Sequence, residues 1–348
     1  MKAKPCENIL GLAMGSEQSR LRQQLVAASM GMVTTHVLGV CVQLKICDLL
    51  RDEPLAISEL ARVTGTQPEP LRELLIILAS LDVVTIEEEA VALKPSGRLL
   101  LADQTGNVVQ WVQYAAEFCA PAWMELADVL LGIPPAAGSK RRIYDALSSK
   151  RYPAEIFHGA MQDTQVEISA TLAEAIRLNP GEVVADLGAG QSSFLIELLM
   201  RYPNTSAIAF DRFSDFTAMK QLAHAQGVAG RLQTIRGSFL DPLPFRVDVI
   251  VFKNVLADWS MEHLKRILTM ARQGLNPDGR MYIATTFVHD PPSPDEAVVS
   301  LNLRVLTEGG DRSEVDYVAI AKEAGFELTR QERVAAIMIL EFSLKGTA

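Results

Sequence analysis

The sequence predicts an α/β protein with two domains, a doubly wound Rossmann-like sheet in the C-terminal half preceded by an all-helical, winged-helix domain. Three observations carry this. Short apolar runs alternate with helical stretches from residue 183 onward, the pattern of strands covered by helices. A glycine loop, Gly188-Ala189-Gly190, breaks the first of those runs and opens a helix. Upstream, residues 57–93 read as helix, turn, helix and hairpin. At 348 residues and 49% hydrophobic content the chain is long enough for two cores, at about 150 residues per domain.

Taken in order, residues 1–20 read as a flexible N-terminus, 21–160 as the winged-helix domain and 161–348 as the ligand-binding domain. Arg20 to Leu50 is helical and carries little charge between Arg22 and Lys45, so that face packs in a core or meets a second subunit; a dimer contact is expected. Ile57 to Ala61 begins a short helix, Glu69 to Leu81 a longer one with Leu71, Leu74, Leu75 and Leu78 on one side. Val83–Ile86 and Val91–Leu93 form the hairpin. A winged helix often binds DNA, but residues 20–103 hold 8 basic against 11 acidic side chains, and the whole chain has a net charge of -9. Nucleic acid and anionic membrane are therefore not expected as partners.

Asn107 to Leu131 reads as helix with Trp111, Tyr114, Phe118 and Trp123, Gly132 to Lys140 as loop, and Tyr144 to Leu178 as helix up to the break at Asn179-Pro180-Gly181. The strands follow: Val183–Leu187, Ala207–Phe210 closed by Asp211, Leu232–Ile235, Val247–Phe252 and Met281–Ala284, with Met261–Gly274 helical. Phe326–Arg330 and Ala336–Leu344 form a closing hairpin.

Cys6, Cys41, Cys47 and Cys119 show no C-x-x-C spacing, so reduced, mostly buried thiols and no metal site are expected. Met1 to Arg20 lacks the long apolar core of a signal peptide, and runs such as Leu74–Leu81 are too short to span a bilayer. A cytoplasmic protein is expected.

In a doubly wound sheet the ligand lies over the carboxyl ends of the strands, where Asp186, Asp211, Ser238 and Lys253 fall. Asp211 stands 21 residues after Gly190, the place for a carboxylate that holds ribose hydroxyls. A dinucleotide loop wants a third glycine near the pyrophosphate, whereas this chain has Ser193. S-adenosylmethionine has no phosphate and removes that requirement.

With these motifs the chain resembles the small-molecule O-methyltransferases of the caffeate, carminomycin and phenazine type. The likeness runs from about Arg20 to Leu344. It rests on Ala185-Asp186-Leu187-Gly188-Ala189-Gly190, Phe210-Asp211-Arg212, Gly237-Ser238-Phe239 through Pro244, Lys253 with Leu256-Ala257-Asp258-Trp259, and Gly309-Gly310-Asp311-Arg312-Ser313. The resemblance implies a homodimer through the N-terminal domain, a class I methyltransferase sheet and S-adenosylmethionine as cofactor. Asp186, Gly188, Gly190, Asp211, Arg212, Ser238, Phe239 and Lys253 would bind the cofactor, with Ser238 where the family usually has aspartate. Phe157, Met161, Ala257, Trp259 and Asn302 would line the substrate pocket.

The family's general base is the histidine of a Leu-His-Asp-Trp motif, and here Ala257 replaces it. Thr285 and the shorter Asp311 stand where family carboxylates steer that histidine. Methyl transfer to an acceptor that needs no base, helped by Asp258 or Asp311, is the expectation. Non-methylating chemistry beside an intact cofactor and a non-catalytic scaffold are the alternatives. His158, next to Phe157, is a candidate replacement base; His36 also lies on a helix, whereas His224, His263 and His289 read as surface residues.

Overall fold

The structure is a computed structural model that describes residues 17–136, 139, 142–150, 152–163, 166–191, 193–286, 288–289, 291–334 and 337–346. The expected flexible N-terminus up to residue 16, with Cys6, lies outside the described residues, as do Ser192 of the glycine loop and Ala336 of the closing hairpin.

The described chain divides into two compact units. One holds residues up to Pro121 together with Gly159–Thr164, the other Ala122–His158 and everything from Gln165 onward. The expected border near residue 160 therefore differs from the observed one: most of residues 122–158 belong with the sheet.

In the first unit two helices, Glu17–Ser29 and Met32–Gln43, precede the winged-helix elements Ile57–Thr64 and Pro68–Ser80. Leu71, Leu75 and Leu78 recur at helical spacing on the second of these elements and are buried, as an apolar stripe facing a core should be, and Leu60 on the first is buried with them. The wing consists of β1 (Leu55–Ala56), β2 (Val84–Glu87) and β3 (Ala90–Leu93) in the order β1-β3-β2. The expectation that no stretch is long and apolar enough to span a bilayer is corrected. The helical run Glu17–Gln43, 27 residues with most of its surface uncovered, meets that length and composition.

The expected helix over 107–131 is broken. Val109–Tyr114 passes into a π-helical turn, Ala115–Cys119, before Ala120–Trp123 and Leu126–Leu130. Pro121 has no N–H to donate back along the helix, and such a turn accommodates the missing bond. The expected helix over 144–178 is likewise three, Ile143–Ser148, Ala154–Asp163 and Val166–Ala175. Pro153 disfavours helical geometry in the residue before it and so separates the first two.

The second unit is built on β4 (Val183–Leu187), β5 (Ser206–Asp211), β6 (Leu232–Arg236), β7 (Val247–Lys253), β8 (Leu275–Thr286), β9 (Phe326–Val334) and β10 (Ile337–Leu344). Their order is β6-β5-β4-β7-β8-β10-β9. The pairs from β6 to β8 are parallel, while β10 runs antiparallel to β8 and β9. Alternation along the strands sends Val184, Val249 and Val251 to one core face and Ala185, Ile250 and Phe252 to the other. Phe194–Arg201 covers the first face; Met261–Gly274 and Glu314–Glu323 cover the second. The chain leaves β4 toward β5 and later returns on its other side as β7. The crevice over the carboxyl end of β4 is thus the topological switch point where ligands bind.

Candidate active site at the carboxyl ends of the strands

Two clusters meet at these strand ends, one built on the glycine loop and one on the turn after β7. On the first, Gly188 has φ +87°, its N–H donates to the Phe210 carbonyl at 2.8 Å, and a Cβ there would lie 2.6 Å from Val255. Only glycine satisfies both the backbone angle and the contact. Asp211, buried at the end of β5, accepts N–H bonds from Gly190 (3.0 Å), Phe213 (2.7 Å) and Ser214 (2.9 Å), so its carboxylate ties the loop to β5. The Ser214 hydroxyl returns a bond to the Gly190 carbonyl at 2.8 Å.

Asp186, at the end of β4, is 1% exposed, and neither carboxylate oxygen has a hydrogen-bond partner among the described residues. Burial pushes its pKa up to about 7, against the opposing charge of Lys253 and with help from Asp211. Burial correspondingly holds the Lys253 ammonium below its usual range, with Asp186 pulling the other way. His158 lies on the loop: its Nδ1 is 3.4 Å from where a Cβ on Gly190 would stand, and its ring hydrogen-bonds the Phe213 backbone. Burial lowers its pKa, opposed by Asp211, Asp215 and Glu155.

On the second cluster, Leu256–Asp258 forms a single 3-10 turn with Ala257 buried in it. The segment 308–312 is hooked onto this turn. Gly310 N–H donates to the Ala257 carbonyl at 2.8 Å, Glu308 N–H to the Asp258 carbonyl at 3.2 Å, and the Arg312 guanidinium to the carbonyls of Leu256 and Trp259. Asp311 is thereby brought into electrostatic range of Asp258, and its Oδ2 is buried with no partner among the described residues. Desolvation pushes the Asp258 carboxyl up to about 7; the Tyr144 hydroxyl, which donates to its Oδ2, pulls it down, and Asp311 raises it further. Thr285 is buried at the end of β8.

An aromatic group covers this side. Tyr144 stacks on Trp259 (5.2 Å between centroids, 7° between planes) and on Phe213 (6.0 Å, 14°) and meets Phe157 edge-on at 6.0 Å. Phe239 meets Trp259 edge-on at 5.5 Å. Asn302 accepts a bond from the Trp123 indole N–H at 2.8 Å, which pins that pair as one wall element.

Not every expected residue converges. Arg212 is exposed with its guanidinium over the neighbouring Phe213 ring, and Ser238 accepts the Leu240 N–H within its own turn. His36 is exposed and bonds its own helix at the Met32 carbonyl. His263, expected on the surface, is half-buried, with its Nδ1 2.7 Å from Glu308 and its ring edge-on to Trp259. Tyr144, Phe213 and Glu308 carry no sequence signal: each sits in an ordinary helical or polar stretch.

Residues 130–327 match the O-methyltransferase domain, and residues 27–103 match the O-methyltransferase dimerisation domain. The chain belongs to the O-methyltransferase family. It is similar to the mitomycin biosynthesis 6-O-methyltransferase of Streptomyces lavendulae, 26% identical over 300 residues that cover 85% of this chain and 86% of that one. It is also 26% identical to the aclacinomycin 10-hydroxylase of Streptomyces purpurascens, over 89% of this chain and 86% of that one. The solved structure of a mitomycin 7-O-methyltransferase superposes with a TM-score of 0.86 at 22% identity, covering 94% and 98% of the two chains, so the fold is the class I methyltransferase fold.

The family's cofactor is S-adenosylmethionine. The residues present fit it. Asp186 is a buried carboxylate whose oxygens have no hydrogen-bond partner among the described residues, suited to a cationic ligand, and Gly188 keeps the loop backbone bare of a side chain beside Val255 and Phe239. This member of the family should therefore bind S-adenosylmethionine more tightly as pH rises. The cation favours ionised Asp186, so below about pH 7 binding must expel its proton and affinity should fall toward tenfold per pH unit; above it the profile should level. Calorimetric titration between pH 5.5 and 8.5 checks this, and a slope that survives in Asp186→Asn assigns the effect elsewhere.

Proposed function

We propose that this O-methyltransferase transfers a methyl group to a small secondary metabolite whose acceptor atom is already acidic or nucleophilic, by holding it in line and without a histidine base. The observation that carries this is Ala257, buried in the turn where the family's base stands. Bound S-adenosylmethionine supplies a methyl group already activated on a sulfonium. What the chain supplies is position, and positioning can account for about 7 to 11 kcal/mol of a barrier. A general base adds typically about 10² to 10⁴ in rate, which an acidic phenol, an enol, an amine or an activated carbon does not need. Trp259, Phe157 and the Trp123–Asn302 pair support a wall suited to a flat acceptor. Asp258 and Asp311 are the carboxylates available to receive a proton. Asp186, Gly188, Gly190, Asp211, Phe239 and Lys253 form the cofactor side, with His158 against the loop.

The enzyme works as a homodimer through its N-terminal helices, on this reading. Leu21, Leu25 and Met32 expose half or more of their surface there, and residues 27–103 match a dimerisation domain.

A second reading is favoured by one relative, the hydroxylase, which is 26% identical along 89% of this chain. On that reading the cofactor stays intact beside the substrate and stabilises developing negative charge. Incubation with methyl-labelled S-adenosylmethionine and a panel of phenols, enols, amines and activated carbons decides between them. Label in product with one S-adenosylhomocysteine per turnover is expected. Turnover without S-adenosylhomocysteine establishes the second reading, and no label in any acceptor removes the first.

A further inference from the structure

Tyr144 links the turns that follow β5 and β7. Its ring stacks on Phe213, two residues beyond the end of β5, and on Trp259, six residues beyond the end of β7. β5 and β7 flank β4 in the sheet, so the two turns that this ring joins leave the sheet on either side of the carboxyl end of β4, which runs into Gly188 and Gly190. Its hydroxyl donates to Asp258 Oδ2 in the turn that contains Ala257. Phe157 closes on the ring edge, and the adjacent His158 rests on Gly190. The stacked rings of Phe213 and Trp259, the edge of Phe157 and the hydrogen bond to the Asp258 carboxylate all hold this side chain in place.

We propose that Tyr144 is a strap over the cofactor crevice, latched by its hydrogen bond to Asp258, so that the cofactor enters and leaves only when that bond opens. The strap is a positioning device: it confines the ligand against the glycine loop, and the reacting atoms need not touch it. Because the hydroxyl grips the turn that would carry the base in other family members, cofactor retention is coupled to the acceptor side of the site. This rests on the cofactor-binding part of the function proposed above, but not on whether a methyl group is transferred.

The test is the release of tritiated S-adenosylhomocysteine from the full-length protein, chased with unlabelled ligand. Tyr144→Phe keeps the ring stack and removes only the hydroxyl; Asp258→Asn keeps the shape and removes the charged acceptor. Each should speed release by about ten- to a hundredfold, as loss of a hydrogen bond to a charged group implies. The double variant should release no faster than the quicker single one, because both remove the same bond. Release within twofold of wild type in Tyr144→Phe overturns the strap, and so does additive acceleration in the double variant. A protein that retains S-adenosylhomocysteine with these kinetics yet methylates nothing overturns the proposed reaction and leaves the strap standing.

Discussion

Asp211→Ala is expected to abolish usable cofactor binding and to destabilise the sheet unit together. Three backbone N–H groups, from Gly190, Phe213 and Ser214, converge on this one buried carboxylate at 2.7 to 3.0 Å. A hydrogen bond to a charged acceptor contributes about 1.5 to 3 kcal/mol, and a buried donor left without a partner costs about as much. The three share one acceptor and will not add, so a loss of about 3 to 5 kcal/mol is expected. Affinity for S-adenosylhomocysteine should fall by at least about a hundredfold, because the glycine loop loses its tie to β5 and with it the preorganised cradle. Asp211→Asn should fall between the two, since its amide oxygen can accept on one side while its NH2 opposes a backbone N–H on the other. Titration calorimetry and thermal unfolding test this, and Asp211→Ala binding within threefold of wild type would refute the tie.

The second large effect is expected at Gly309. A Cβ there would sit 1.8 Å from the Ala257 carbonyl oxygen, 2.6 Å from the Asp258 carbonyl carbon and 2.7 Å from the Trp259 nitrogen. These are backbone atoms of the turn at the centre of the site, so no side-chain rotation relieves the overlap. Gly309→Ala should lift segment 308–312 off the turn, break the Gly310–Ala257 and Glu308–Asp258 hydrogen bonds, and carry Asp311 away from Asp258. Overpacking costs about 1 to 3 kcal/mol, and two lost backbone bonds add about 1 kcal/mol each. Gly230→Ala is the control, because nothing lies within 4 Å of its added carbon. Equal melting temperatures for the two variants would show that the 308–312 segment yields without cost.

The glycine loop, the acid closing β5 and the lysine closing β7 were legible from the chain because each follows its strand directly. Their function rests on local chain geometry. Even so, the sequence position of Asp211 suggested a ligand contact only; that it also binds its own backbone required coordinates. Arg212 and Ser238 share these motifs, yet Arg212 turns to its neighbour's ring and Ser238 to its own turn, because local alternatives compete for a polar side chain. Apolar periodicity runs unbroken over 107–131 and 144–178 because it does not register the π-helical turn before Pro121 or the helix end imposed before Pro153.

By itself the sequence determined the two-domain α/β architecture, the cofactor class through its chain-order motifs, and the absence of a histidine at position 257. Strand alternation, helical periodicity and glycine turns are properties of neighbouring residues, so they survive reading along a line. Tertiary structure alone decided what surrounds Ala257. Tyr144 and Asp258 are 114 positions apart, and Trp123 and Asn302 are 179 apart. Such pairs join helices and turns far apart along the chain, and no local pattern encodes which of them meet.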